Sequence, residues 1–259
     1  MQTVKLAPLA ALMLVAACTD SAGTLRFSLT SRQAAAPAPS APFGSGAAAP
    51  TVVVTGDSTV IALGTDTVIV RSATLVLRKI ELKKVDVAAC DAVTNNGECE
   101  EFETGPTLVS LPLGGTMIAQ EVAIAALPAT YDALEFEIHK PSASDDAAFI
   151  AANPDFATIS IRVTGTYSQA GTRSAFTFTS DVDQSEKASL VPAVTVAEGG
   201  TLNVTLRVNL SGWFLNAAKT ALVDPASANN GQPNQSVVAN NIQNSFKAFE
   251  DDDHDGLED

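Results

Sequence analysis

Apolar and polar positions alternate in short runs along most of this 259-residue chain, and turn residues part the runs. Val52, Val53 and Val54 form one β-branched cluster, and Val60, Ile61 and Ala62 a second run. Thr67, Val68, Ile69 and Val70 form a third, and Gly56-Asp57 and Gly64-Thr65-Asp66 separate the three. That is the punctuation of strands and tight turns. Residues 73–87 alternate over a longer reach, with Leu75, Leu77, Lys79, Glu81 and Lys83 on one parity. Val76, Arg78, Ile80, Leu82 and Lys84 occupy the other. Neither parity is purely apolar, so the spacing predicts a bulge or bend inside this strand. Further strands are expected over 24–29, 107–111, 121–124, 133–138, 159–167, 174–180 and 202–210. In 133–138, Leu134, Phe136 and Ile138 alternate with Glu135 and Glu137, the pattern of a half-buried antiparallel strand.

Helical signals are fewer. Ser144-Asp145-Asp146 is a cap for a short helix reaching Ala152, ended by Pro154. Ser211 opens a turn carrying Trp213 and Phe214, which read as core anchors. Val238, Ile242, Phe246 and Phe249 fall at spacings of four, four and three. One apolar stripe at that spacing predicts a helix over 237–249, with Ser236 as its N-cap. Roughly ten short strands with two or three short helices predict an all-β domain, a two-sheet antiparallel β-sandwich.

Composition then sets the context. Residues 33–50 are rich in Ala, Pro, Ser and Gly, with little to bury, and read as a flexible spacer. Before it, Lys5 and a short apolar stretch lead to Leu14-Val15-Ala16-Ala17-Cys18. The apolar stretch is too short to span a bilayer as a helix. Two small residues and a cysteine at its end resemble a bacterial lipoprotein signal, in which the thiol takes a diacylglycerol before cleavage. Cys18 is then the lipidation site and the mature N-terminus. In the lipoproteins this resembles, an aspartate after the cysteine marks inner-membrane retention. Thr19 stands there instead, so the expectation is an outer membrane, facing periplasm or surface. The expected organisation is a signal peptide over 1–17, a lipid-anchored N-terminus with a first strand over 18–32, and the spacer over 33–50. The β-sandwich domain follows over 51–235, then a C-terminal helix and acidic loop over 236–259. A net charge of −14 disfavours nucleic acid and anionic lipid as partners. Cys90 and Cys99, an even pair in an oxidising compartment, read as a disulfide around the Asn95-Asn96-Gly97 turn. Metal thiolates or two free thiols are the alternatives, though zinc would want further Cys or His nearby.

Several segments in this order resemble a bacterial lipoprotein domain, the DUF4382 type. They are residues 73–87, then Val109-Ser110-Leu111, then Leu127-Pro128-Ala129-Thr130-Tyr131 running into 134–138. In that family a strand pair precedes an apolar L-P-x-G-x-Y turn; here Ala129-Thr130 stands where glycine is usual. The resemblance covers residues 24–210. It implies a β-sandwich on the periplasmic or surface side and no catalytic residues.

The chemistry concentrates at the C-terminal end of the sequence. From Asp251 it reads D-x-D-x-D-G-x-x-D. Calcium takes six to eight hard oxygens, and alternate aspartates can curl around one point when glycine allows the turn. The run is similar to an EF-hand or thrombospondin type 3 loop. That similarity gives Asp251, Asp253 and Asp255 the first three ligand places and Gly256 the turn. It gives Leu257 a carbonyl ligand and Asp259 the ninth place. The predicted 237–249 helix stands where an entering helix should be. An EF-hand also uses a bidentate Glu at place twelve, beyond Asp259. The terminal carboxylate, another part of the domain or a neighbouring chain would have to substitute. Weak affinity is expected, roughly 10⁻⁴–10⁻³ M. A vaguer ion candidate is the loop with Asp91, Asn95, Glu98 and Glu100.

Other chemistry finds little support. His139 ends a strand and is expected at an exposed rim, and His254 lies within the acidic run. No Gly-x-Ser-x-Gly elbow, phosphate-binding glycine loop or His-Glu-x-x-His is present. Glu135 and Glu137 share a strand face and are the carboxylates a glycosidase reading would use. The sequence therefore predicts a lipid-anchored envelope protein with a binding or structural role and weak calcium binding, not an enzyme. Its partners would be the membrane, through the lipid, and an unknown protein or glycan. The alternatives are an envelope polysaccharide hydrolase and an adhesion or assembly module working through exposed sheet edges.

Overall fold

A computed structural model describes residues 22–31, 49–85, 101–102, 105–113, 121–253 and 255–257. Cys18, the spacer residues 33–48, Cys90, Cys99, His254 and Asp259 lie outside the described residues, as do Asp91, Asn95, Glu98 and Glu100. Two sheets form a β-sandwich, as the alternation predicts. The small sheet has four strands in the order β13 (Phe246–Glu250), β12 (Thr201–Val208), β1 (Gly23–Thr30) and β7 (Glu121–Ala126).

The large sheet is built around β4 (Asp66–Lys84), a strand of 19 residues. One side of β4 pairs in turn with β3 (Ser58–Leu63), β6 (Thr107–Ser110) and β5 (Glu101–Phe102). The other side pairs with β9 (Ile161–Gln169) and then β8 (Ala129–Ile138). The hairpin strand β2 (Thr51–Thr55) lies outside β3, and β10 (Thr172–Ser180) outside β9. β11 (Gln184–Val196) pairs with β8.

The mixed parity of β4 has a geometric cause. Its ladder shifts register between Val70 and Ser72 and again between Arg78 and Ile80. Each shift inserts one residue and reverses which parity faces inward. Val68 and Val70, then Ala73, Leu75 and Leu77, then Ile80 and Leu82 are all buried in the core. The expected bulge is therefore present between Arg78 and Ile80, and the shift between Val70 and Ser72 adds another ahead of residues 73–87. Opposite the first shift, Gly165 of β9 crosses so close that a Cβ would lie 2.0 Å from the Ile69 carbonyl oxygen.

Leu25, Phe27 and Leu29 of β1 face Leu202, Val204 and Leu206 of β12 in register, all buried. This β1–β12 pair is parallel, whereas every other ladder between described strands is antiparallel. The strand expected ahead of the spacer is thus an inner strand, and the sandwich takes in residues on both sides of 51–235. Trp213 and Phe214 are buried anchors, with the Trp213 indole N–H donating to Ser245 Oγ at 2.8 Å.

The C-terminal helix is shorter than predicted. Helix α1 (Ala147–Ala152) matches expectation, but α2 spans only Gln235–Gln243 and begins after Asn234, not Ser236. Val238 and Ile242 are its buried residues. Phe246 and Phe249 belong to β13, which takes the open edge of β12. Phe246 faces the core, its ring 5.4 Å from that of Phe136, edge to face. The helical spacing of these two phenylalanines yields to an edge strand that satisfies the β12 backbone.

Candidate functional site

The acidic loop is entered from a strand, which corrects the expected helix-to-loop geometry. Asp251 continues the β13 ladder by one residue, its N–H donating to the Asn203 carbonyl at 3.2 Å. Its side chain lies on the outer face of the small sheet, where it is fully buried. Thr205 Oγ1 donates to Asp251 Oδ2 at 2.6 Å, and the Gly256 N–H donates to the same oxygen at 3.1 Å. The Asp255 N–H reaches Asp251 Oδ1 and Asp253 Oδ1, both at 3.0 Å. The Leu257 N–H closes the turn on Asp255 Oδ1 at 2.7 Å. Gly256 sits at φ +77°, the left-handed region expected for the turn glycine.

These bonds curl the chain so that Asp251, Asp253 and Asp255 each offer a carboxylate oxygen within 4.8 Å of the others. They form a cluster able to hold a metal ion. Asp251 is buried, Asp255 half-buried and Asp253 exposed, so one ligand is fixed to the sheet and two face outward. Two supporting residues escaped the sequence reading. Thr205 anchors Asp251 from β12. Asn203, on the same face and two residues away, buries an Oδ1 with no hydrogen-bond partner among the described residues. Neither carries a motif; only the strand register brings them beneath the loop.

A second polar cluster surrounds His139, which is largely buried rather than exposed at a rim. Its Nε2 lies 3.1 Å from Asp146 Oδ2 and 3.3 Å from Arg78 Nη1, and its Nδ1 lies 3.5 Å from Asp183. Asp146 also accepts the Ser142 N–H at 2.9 Å instead of capping α1. Burial opposes the Asp146 charge, but that N–H, His139 and the Arg78 charge together hold its carboxyl below the usual range. Arg78, Pro106, Asp145, Asp146 and Phe149 line a cleft of about 370 Å³ beside it. Its two carboxylates are neighbours on one turn and not a pair facing each other across the cleft.

A third cluster sits on the outer face of the large sheet. Glu81 stands directly opposite Glu135 across β4 and β8. Lys83 answers both, 2.8 Å from Glu81 and 3.2 Å from Glu135. Burial works against its charge, but the two carboxylates prevail and hold the ammonium above the usual lysine range. Glu137 accepts from Ser185 at 3.3 Å. Glu135 is thus ion-paired to Lys83 and Glu137 hydrogen-bonded to Ser185.

Fold and site together define a two-sheet β-sandwich bearing an oxygen-lined turn that can hold a metal ion. No family model, curated protein or solved structure matches the chain.

Proposed function

We propose that this chain is a lipid-anchored cell-envelope protein with a binding or structural role, in which calcium clips the C-terminal loop onto the small sheet. The observation that carries the cation half is the convergence of Asp251, Asp253 and Asp255 within 4.8 Å. Their donors are all hard oxygens, which suit calcium or magnesium and not a thiolate-seeking metal. An irregular loop with ligands of unequal exposure favours calcium, because magnesium demands near-octahedral geometry. Asp251 and Asp253 already spend lone pairs on backbone N–H groups, so the loop is shaped before the ion arrives. The Leu257 carbonyl, Asp259 and water are the further oxygens such a site would use. Bound calcium would offset the repulsion of three close carboxylates and hold β13 against β12.

The anchor half rests on sequence. The Cys18 lipobox and the likeness to the DUF4382-type lipoproteins support a lipid-held domain, with the outer membrane as its site. Within the fold, the segments carrying that likeness gather around β4: β6 pairs with it, and Tyr131 fixes the turn into β8 by donating to the Leu127 carbonyl at 2.8 Å. A calorimetric calcium titration of the full chain beside Asp253→Ala/Asp255→Ala tests the ion site. Saturable heat in the millimolar range, lost in the variant, is the expected result. Equal traces from the two proteins at several millimolar calcium would reduce the loop to a solvated turn. Radiolabelled palmitate incorporation, lost in Cys18→Ser, tests the anchor separately.

A further inference from the structure

Open sheet edges are templates for another strand, and folded proteins blunt them with charge, proline, bulges or a covering segment. This molecule blunts several of its edges. On β10 an amide occupies the edge: Asn229 Oδ1 accepts the Thr179 N–H at 2.7 Å and Nδ2 donates to the Thr177 carbonyl at 3.2 Å. On β11 the residues between Ser189 and Val194 bulge against a single residue of β8 and include Pro192. The β13 edge carries Lys247 and runs into the acidic loop.

β2 has none of these guards. Its five residues contain no charge and no proline, and they pair with β3 without a register shift. No strand lies on its outer side among the described residues. Val53 and Val54 are 51% and 50% exposed, high for valine. Gly56 at φ +55° makes a two-residue turn, so Thr55 and Ser58 form the closing hydrogen-bonded pair. Antiparallel alternation then turns Thr51 and Val53 toward β3 and leaves the N–H and C=O of Val52 and Val54 pointing outward.

The sequence of this edge reads the same in both directions, Thr-Val-Val-Val-Thr about Val53. A two-fold interface needs a self-complementary surface, and this strand is one. We propose that β2 is a homodimerisation strand: two copies join edge to edge, antiparallel about Val53, and continue the large sheet across the axis. Val52 then faces Val54 of the partner subunit, twice over, with both outward N–H and C=O groups satisfied in each pair. Val53 faces Val53 of the partner subunit, with β-branched side chains meeting on the same face. Two chains of net charge −14 repel, and an uncharged strand is where they can approach. The seam is short against the roughly 1,200 Å² of a standard interface, so the dimer is weak and strengthened by salt. The β2 seam lies in the large sheet and involves neither the acidic loop, which follows β13 of the small sheet, nor the lipid.

Sedimentation equilibrium on the full chain carrying Cys18→Ser, over rising concentration and salt, is the test. The expected result is a monomer–dimer equilibrium that Val53→Lys weakens by about tenfold or more, because two lysines would meet on the axis. Register is tested by oxidation of Val53→Cys and Val52→Cys in the same background, the native Cys90 and Cys99 being kept in both. Val53→Cys should give a disulfide-linked dimer, whereas at position 52 the thiols are two residues out of register, beyond the ~7 Å Cα limit of a disulfide. A protein that stays monomeric throughout, a dimer indifferent to Val53→Lys, or equal cross-linking at both positions would each overturn the proposal. If Val53→Lys misfolds, the cysteine pair still decides it.

Discussion

At the scale of single residues, the charges on the sheet faces are structural groups whose environments fix how they respond to change. Glu81 and Glu135 oppose each other across a ladder, an arrangement that like charges alone would destabilise. Lys83 removes that penalty from the diagonal position. Lys83→Met removes the ammonium 2.8 Å from Glu81, which is 2% exposed, and should cost about 3 kcal/mol in urea unfolding. Adding Glu81→Gln should recover part of that loss; a double variant no more stable than the single one would contradict the role given to Lys83. Asp146 makes a contribution that depends on pH. Its carboxyl is held below the ordinary value of 3.8, so the stability it supplies is complete above that pH. The contribution is lost as pH falls through its lowered native value. The gap in urea midpoint between the wild type and Asp146→Asn should therefore begin to narrow as pH falls below 3.8 and go on closing toward the lowered native value. A gap unchanged at pH 3 would show that the charge contributes nothing.

At the scale of elements, β4 explains how one sequence segment carries both sheet continuity and core burial. Two inserted residues allow a 19-residue strand to keep apolar side chains inward while it exchanges β3 for β6 and β5 on one side and β9 for β8 on the other. The close crossing of Gly165 belongs to this bend. Gly165→Ala places a methyl against the Ile69 carbonyl and within 2.9 Å of Phe176 Cζ, so the backbone itself must move. A loss of about 1–3 kcal/mol in denaturant stability is expected. Ala in place of Gly171, which sits in an exposed turn with nothing within 4 Å, meets no such clash, although its φ of +82° still penalises it. The two variants together separate steric closeness from conformational strain.

For the molecule as a whole, the C-terminal loop lies on the outer face of the small sheet while β13 contributes Phe246 to the core between the sheets. Fastening the loop therefore stabilises the edge strand next to it. At ten times its dissociation constant, calcium should add about 1.4 kcal/mol. For a chain of this size that is a rise in Tm of about 3–6 °C, read by scanning calorimetry. Asp253→Ala/Asp255→Ala should melt at the same temperature with and without calcium. A similar rise in both proteins would place the ion elsewhere.

Much of this was legible from local chemistry. Val60, Ile61, Val68 and Val70 announce strands because β-branched side chains suit a pleated, half-buried surface. Gly56 and Gly64 mark turns because both need positive φ. The acidic loop could be read in phase because its hydrogen bonds join residues no more than five apart. β11 was not legible: Glu186, Lys187 and Pro192 hide a strand whose alternation is broken by its bulge.

What the sequence by itself determined is therefore short-range: which segments extend, where they turn, and how three aspartates curl. Tertiary structure alone decided which strands meet. It set β1 parallel to β12 across the length of the chain, and it drew Phe246 and Phe249 out of a helical stripe into a strand. It also placed Thr205 and Asn203 under a loop some fifty residues away. The reason is that an open strand edge carries backbone donors and acceptors that must be paired, and the segment that pairs them is chosen by spatial proximity and core volume, not by neighbouring residues.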